Sequence, residues 1–225
     1  MIRSVLFDTE TTGLDPMTGD RVIEVAALEL MGDLPTGKHF HSFVHPERDI
    51  PEEVVRVHGI TLDQVRNAPR FEEVADALLA FLGEGKLIAH NAAFDFSFLN
   101  AEFSRLSRPA LEAERMVCTL ELARQRFPGM PNSLDALCRR FDIDLSERVT
   151  HNALLDCRLL AEVYVELTGG RQRGLLLAAD GQAEMPVVAY APVGPREPRL
   201  IVPSAAELAA HAAFVARING ALWNG

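Results

Sequence analysis

The sequence predicts an α/β layer fold built on a mixed sheet, and three observations carry that prediction. Three strand-like segments come first, strands and helices alternate after them, and the first strand is apolar on both faces, as a central strand must be.

The opening strand covers Arg3 to Thr9, with Val5, Leu6 and Phe7 at its centre. Arg21 to Leu30 and Lys38 to Val44 read as two further strands, separated by the turn-rich run from Met31 to Gly37. A helix follows over Phe71 to Leu82. Lys86 to Ala89 is a short strand that leads into a helix from Ala92 to about Leu106, with Asn91 as its N-cap. Met116 to Cys118 makes a fifth strand. Helices then span about Leu120–Arg126, Ser133–Phe141 and Asn152–Thr168. Residues 1–170 therefore form one patterned domain. Residues 171–199 lack periodicity and carry scattered Gly and Pro, which marks a linker. Residues 200–225 open on Leu200-Ile201-Val202 and continue as a short helix from Ala205 to about Ile218, a flexible tail ending in one element.

Nearly half of the 225 residues are apolar, enough for a sizeable core. No run is long enough to span a membrane and no leader-like segment opens the chain, so the expectation is a cytoplasmic protein. Cys118, Cys138 and Cys157 are odd in number and widely spaced, which fits buried free thiols rather than a metal site. The formal net charge of −10 argues against an autonomous nucleic-acid binder, which usually presents a basic footprint. Action on nucleic acid would require divalent cations to offset the carboxylates, or a partner to hold the substrate.

Carboxylates stand where a core is expected. In Phe7-Asp8-Thr9-Glu10-Thr11-Thr12-Gly13, the two-residue period of a strand puts Asp8 and Glu10 on the face of Leu6, where two adjacent acids repel unless a cation lies between them. In His90-Asn91-Ala92-Ala93-Phe94-Asp95, Asp95 falls in the first turn of its helix, where helix-dipole complementarity alone could account for it. In His151-Asn152-Ala153-Leu154-Leu155-Asp156, Asp156 shares a stripe with Leu160, Val163 and Leu167, an unusual place for an acid. Each signal alone has a structural explanation. Together, four acids and one histidine make up the set that two-metal phosphoryl chemistry needs, and hard oxygen ligands suit two Mg²⁺ or Mn²⁺ ions.

These three blocks, in this order and spacing, resemble the DEDDh exonucleases, a family with a ribonuclease H-like fold: a mixed five-stranded sheet flanked by helices. The similarity is strongest to members that proofread for replicative DNA polymerases. It extends through Val57-His58-Gly59-Ile60, Phe127-Pro128-Gly129, Asn132 to Leu137 and Leu160 to Tyr164, and reaches Leu222-Trp223. The resemblance implies 3′→5′ hydrolysis of the terminal phosphodiester with release of deoxynucleoside monophosphates. It implies that Asp8, Glu10 and Asp156 hold the metals, that Asp95 completes the second site, and that His151 is the general base. Glu53 and His58, with Asp8 and Glu10, match positions that touch the terminal nucleotide. Asn152 departs from the family pattern, which has Gly after the histidine.

A stand-alone enzyme that trims RNA or short oligonucleotides shares the same motifs, and the alternative of a noncatalytic scaffold is disfavoured by the complete acid set. The tail favours the proofreading reading. Residues 200–225 would bind a polymerase catalytic subunit, with single-stranded or frayed 3′ DNA as substrate. Gln172, Leu175 and Leu177, within residues 172–177, have the spacing of a sliding-clamp-binding peptide, a pattern that an ordinary apolar linker edge also produces.

Overall fold

A computed structural model describes residues 2–148, 150–169 and 202–219. The chain divides into two compact units, Met1–Leu176 and Leu177–Gly225.

In the larger unit, β1 (Arg3–Thr11), β2 (Val22–Met31), β3 (Leu34–Phe43), β4 (Lys86–Ala89) and β5 (Met116–Cys118) form one sheet in the order β3-β2-β1-β4-β5. The β1–β2 and β2–β3 pairs are antiparallel, and the β1–β4 and β4–β5 pairs are parallel. The mixed five-stranded sheet expected from the sequence is thus present. Strand β3 starts four residues earlier than expected, because the connection is a tight two-residue turn. Gly32 and Asp33 both adopt positive φ (58° and 72°), and Met31 pairs directly with Leu34. As an edge strand, β3 tolerates Pro35, whose missing N–H costs no ladder bond there.

Among the described residues, seven α-helices accompany the sheet: α1 (Glu52–His58), α2 (Leu62–Val65), α3 (Phe71–Leu82), α4 (Ala92–Arg105), α5 (Thr119–Arg126), α6 (Leu134–Arg140) and α7 (Ala153–Leu167). The first two were not anticipated, being too short for a periodic signal. Pro51 starts α1, and Gly59 ends it in the left-handed conformation at φ 76°.

Alternation along β1 assigns its side chains to two cores. Val5 and Phe7 pack with Leu78 and Leu82 of α3 and with Phe98, Leu99 and Phe103 of α4. Leu6 faces the other way, toward Leu137 of α6 and Cys157, Leu160 and Val163 of α7. Each fully buried side chain of this size contributes about 1.5–3 kcal/mol relative to exposure, so both helical layers are firmly attached. The three cysteines are free, and Cys138 and Cys157 are buried within the second core.

In the smaller unit, α8 (Ala205–Val215) starts with the expected capping box. The Ser204 N–H donates to Glu207 Oε2 (2.8 Å), and the Glu207 N–H donates to Ser204 Oγ (3.3 Å). The helix stops at Val215, short of Ile218, because its last turn tightens: Arg217 N–H reaches Phe214 O and Ile218 N–H reaches Val215 O. Leu208, Phe214 and Ile218 are exposed. Gln172, Leu175 and Leu177, together with Leu200, Ile201, Leu222 and Trp223, lie outside the described residues. Among the described residues, no helix is long and apolar enough to cross a membrane.

Candidate active site

The C-terminal ends of β1 and β4 and the N-termini of α4 and α7 meet at one end of the sheet, where a cleft of about 930 Å³ opens. Crevices at the carboxyl ends of such strands are the usual ligand sites of α/β sheets. Asp8, Glu10, Asp95, Asp156 and His151 all line this one cleft, although they come from three separate elements and an intervening loop.

Strand alternation explains the placement of β1's acids. Asp8 and Glu10 continue the face of Leu6, toward α7, which carries Asp156 in its first turn. Ligand atoms of Glu10, His151 and Asp156 all lie within 4.8 Å of one another. Thr9 points the opposite way, toward α4. Its backbone N–H (3.0 Å) and its hydroxyl (2.7 Å) both donate to Asp95 Oδ1. Asn91 stands at the expected N-cap position of α4, but in the left-handed conformation at φ 63° and without a capping side-chain bond. Asn152 does cap its helix, accepting from Leu155 N–H at 3.0 Å.

The acids press on one another. Burial, followed by repulsion from Asp95, Glu10, Asp156 and Glu24, raises Asp8 well above the usual carboxylate range. Burial, with repulsion from Asp156, Glu24 and Asp95, pushes Glu10 up to about 8. Burial lifts Asp95 to about 7 despite the two bonds from Thr9. Asp156 is the exception. Burial would raise it as well, but the Arg148 guanidinium and the His151 ring outweigh burial and hold it below its ordinary value. Three neighbouring carboxylates that resist ionisation are a site that wants positive charge, and an all-oxygen set suits a hard divalent cation. On this donor chemistry the residues fit a divalent cation.

The sequence-predicted residues do not all converge. Glu53 is exposed on α1 and His58 is buried at its end, and neither lines the cleft. His58 Nδ1 accepts from Ile60 N–H (3.0 Å), while its Nε2 is buried without a hydrogen-bond partner among the described residues. The stretch they occupy still abuts the site, since His151 N–H donates to Val57 O at 3.2 Å.

Three residues that shape the site escaped the sequence reading. Arg148 donates from Nε (2.6 Å) and Nη2 (2.7 Å) to the two oxygens of Asp156. It sits in a segment without periodicity that gave no signal. Thr9, inside the first motif, holds Asp95. Glu24 is fully buried and accepts from Asn152 Nδ2 (3.0 Å) and Ala153 N–H (3.2 Å), and it pairs with His41 Nε2 (2.7 Å). It therefore anchors the start of α7. An acid interrupting the apolar run from Val22 to Leu28 was the available clue.

The RNase_T family model, described as an exonuclease, matches residues 5–164. A protein of Rickettsia conorii named DNA polymerase III subunit epsilon is 44% identical over 223 residues, covering 96% of each chain. Its namesake in Escherichia coli is 40% identical over 189 residues, covering 81% of this chain and 77% of the other. Among solved structures, exonuclease X in complex with 5′-overhanging duplex DNA superposes with a TM-score of 0.59 at 26% identity, covering 75% of this chain and 92% of that one. The nuclease domain of 3′hExo, a DEDDh family member bound to rAMP, has the same fold at a TM-score of 0.62 and 21% identity, over 73% and 90% of the two chains.

Proposed function

Because the chain belongs to the exonuclease family and aligns over nearly its whole length with a DNA polymerase III subunit epsilon, we propose that it is the proofreading 3′→5′ exonuclease of a replicative DNA polymerase, with two divalent cations held in its acidic cleft. The observation that carries this reading is the convergence of Asp8, Glu10, Asp95 and Asp156 on one cleft, three of them held above their usual carboxylate range.

Asp8, Glu10 and Asp156 would hold the cations, with Asp95 completing the second site; Mg²⁺ and Mn²⁺ both suit these oxygens. When bound, such a pair activates a water and stabilises the leaving oxygen of an in-line displacement. His151, exposed at the mouth of the cleft with Nδ1 3.4 Å from Asp156 Oδ2, accepts the proton of the attacking water through its neutral ring. Thr9 fixes Asp95, and Glu24 fixes the helix that carries Asp156. Arg124, exposed on the rim of a cleft otherwise rich in acids, is available to a phosphate of the incoming strand. Glu53 and His58, on α1, are assigned contacts with the terminal nucleotide.

Residues 1–170 constitute the nuclease, 171–199 a linker, and 200–225 the polymerase-binding segment. The exposed Leu208 and Phe214 of α8, with Ile218 just beyond its end, support that last assignment, since a short helix with uncovered apolar side chains is marginal alone in water. Gln172, Leu175 and Leu177 are assigned to a sliding clamp, and the cytoplasm is the expected compartment.

The test compares single-stranded DNA, a mismatched primer end and RNA as substrates, with and without the cognate polymerase. Hydrolysis of the mismatched DNA end, enhanced by the polymerase, is expected. Preferential digestion of RNA, unaffected by polymerase, would contradict the reading.

A further inference from the structure

Arg148 is the residue outside the acid set that engages the site most closely. Only 8% of its side chain is exposed. Its Nε and Nη2 grip the two oxygens of Asp156 at 2.6 and 2.7 Å, while Nη1 donates to Asp135 Oδ1 at 2.5 Å. Nη2 also lies 3.1 Å from His151 Nδ1. One guanidinium thus ties together an acid assigned to the metals, the histidine assigned as base, and a second acid on α6.

A bidentate guanidinium takes up both oxygens of a carboxylate in a fixed fork. A divalent cation placed on the same carboxylate would meet that positive charge within a few ångströms. The two cannot hold Asp156 fully at once. Yet an Asp156 with neither would be a buried, unneutralised charge beside Asp8 and Glu10, a strongly unfavourable state. Asp135 is the feature that distinguishes an exchange from a permanent ion pair. It is more exposed than Asp156, with 38% of its side chain accessible against 5%, and it gives the guanidinium an anchor it can keep while letting Asp156 go.

We propose that Arg148 is the resident counter-ion of Asp156 in the metal-free protein, holding Asp156 and His151 in place until a divalent cation displaces it, after which it stays tethered to Asp135. This rests on the assignment of Asp156 as a metal ligand. Arg148 is accordingly a positioning residue, and metal uptake carries the cost of breaking its hold.

The consequence is an unusual pairing of effects. Removing the guanidinium weakens the metal-free protein but strengthens its grip on metal, whereas loss of a merely structural ion pair would weaken both. Mn²⁺ binding to the full chain by calorimetry, together with Tm in excess EDTA, separates the two for wild type, Arg148→Met and Arg148→Lys. The lysine variant keeps the charge without the fork and so guards against a methionine variant that does not fold. Arg148→Met is expected to bind Mn²⁺ about tenfold more tightly or better, the scale of a charge-assisted bidentate contact, with a lower metal-free Tm. Arg148→Lys should fall between it and wild type on both measures. Equal or weaker Mn²⁺ affinity in both variants, with wild type binding normally, would overturn the inference alone. Absence of Mn²⁺ binding in wild type and variants alike would overturn the metal assignment and this inference with it.

Discussion

Thr9 and Asp95 are joined by two hydrogen bonds to a single oxygen: the Thr9 amide at 3.0 Å and its hydroxyl at 2.7 Å both end on Asp95 Oδ1. Strand β1 therefore supplies acids from one face and, from the residue between them, grips the acid that α4 brings to the other side. The relative position of Asp8, Glu10 and Asp95 is set by one strand. Replacing Thr9 with Val keeps the shape and the amide bond but deletes the hydroxyl. A hydrogen bond to a charged group contributes roughly 1.5–3 kcal/mol, so Thr9→Val should bind Mn²⁺ about tenfold more weakly with its fold intact. Unchanged affinity by calorimetry would show that Asp95 does not need this support.

Opposite stability effects are expected from two acids whose loss should equally abolish activity. Burial, and after it the neighbouring acids, destabilise ionised Asp8, whereas Arg148 stabilises ionised Asp156. Both Asp8→Asn and Asp156→Asn should lower hydrolysis of single-stranded DNA by about a thousandfold or more, the scale on which loss of a principal catalytic group is felt. In EDTA, Asp8→Asn should raise Tm and Asp156→Asn should lower it. Near-normal nuclease activity in either variant, or in wild type with excess EDTA, would sink the two-metal assignment.

Metal-free stability should fall between pH 6.5 and 8. Glu10 is pushed up to about 8 and Asp95 to about 7, so each binds its proton more tightly folded than unfolded. Their stabilising contribution is complete at low pH and is lost as pH rises through these values. His90, pressed from 6.5 down to about 4 by burial, works in the opposite direction, but its contribution is already complete above 6.5. Melting in EDTA at pH 6.5 and 8 should therefore show a lower Tm at the higher pH, and Glu10→Gln should flatten the difference. Saturating Mg²⁺ should also remove it. A Tm in EDTA that rises across this interval would contradict the account of buried, mutually repelling acids at the site.

Glu24 should matter to activity although it lies on β2, behind the reacting groups. It accepts from Asn152 and Ala153 at the start of α7, so Glu24→Ala leaves buried donors unpaired and should cost about 2–4 kcal/mol. Asn152→Gly, which restores the residue type of the family pattern, removes one of those contacts and a helix cap. It should cost only about 1 kcal/mol. Chemical denaturation orders the two, and kcat should fall more for Glu24→Ala. Equal, negligible effects would mean that α7 is positioned by its apolar face alone.

Most of the sheet was legible in the sequence because β1, β2, β4 and the helix that follows β4 carry strong apolar patterns and each motif sits at an element end. The acid set was legible for the same reason: Asp8, Glu10 and Asp156 interrupt apolar stripes. Short α1 and α2, and the tight Gly32-Asp33 turn, left no periodic trace. The supporting contacts were hidden for another reason. Arg148, in an aperiodic loop, reaches Asp156 eight residues later and Asp135 on a different helix, and Glu24 meets Asn152 across 128 residues. Only the folded chain brings such partners together.

The site is tested most directly by anomalous diffraction from crystals of the protein soaked with Mn²⁺ and a nucleoside 5′-monophosphate. Two manganese peaks about 4 Å apart are expected among Asp8, Glu10, Asp95 and Asp156, with His151 facing the phosphate. A single peak elsewhere, or none among these four carboxylates, would contradict the account.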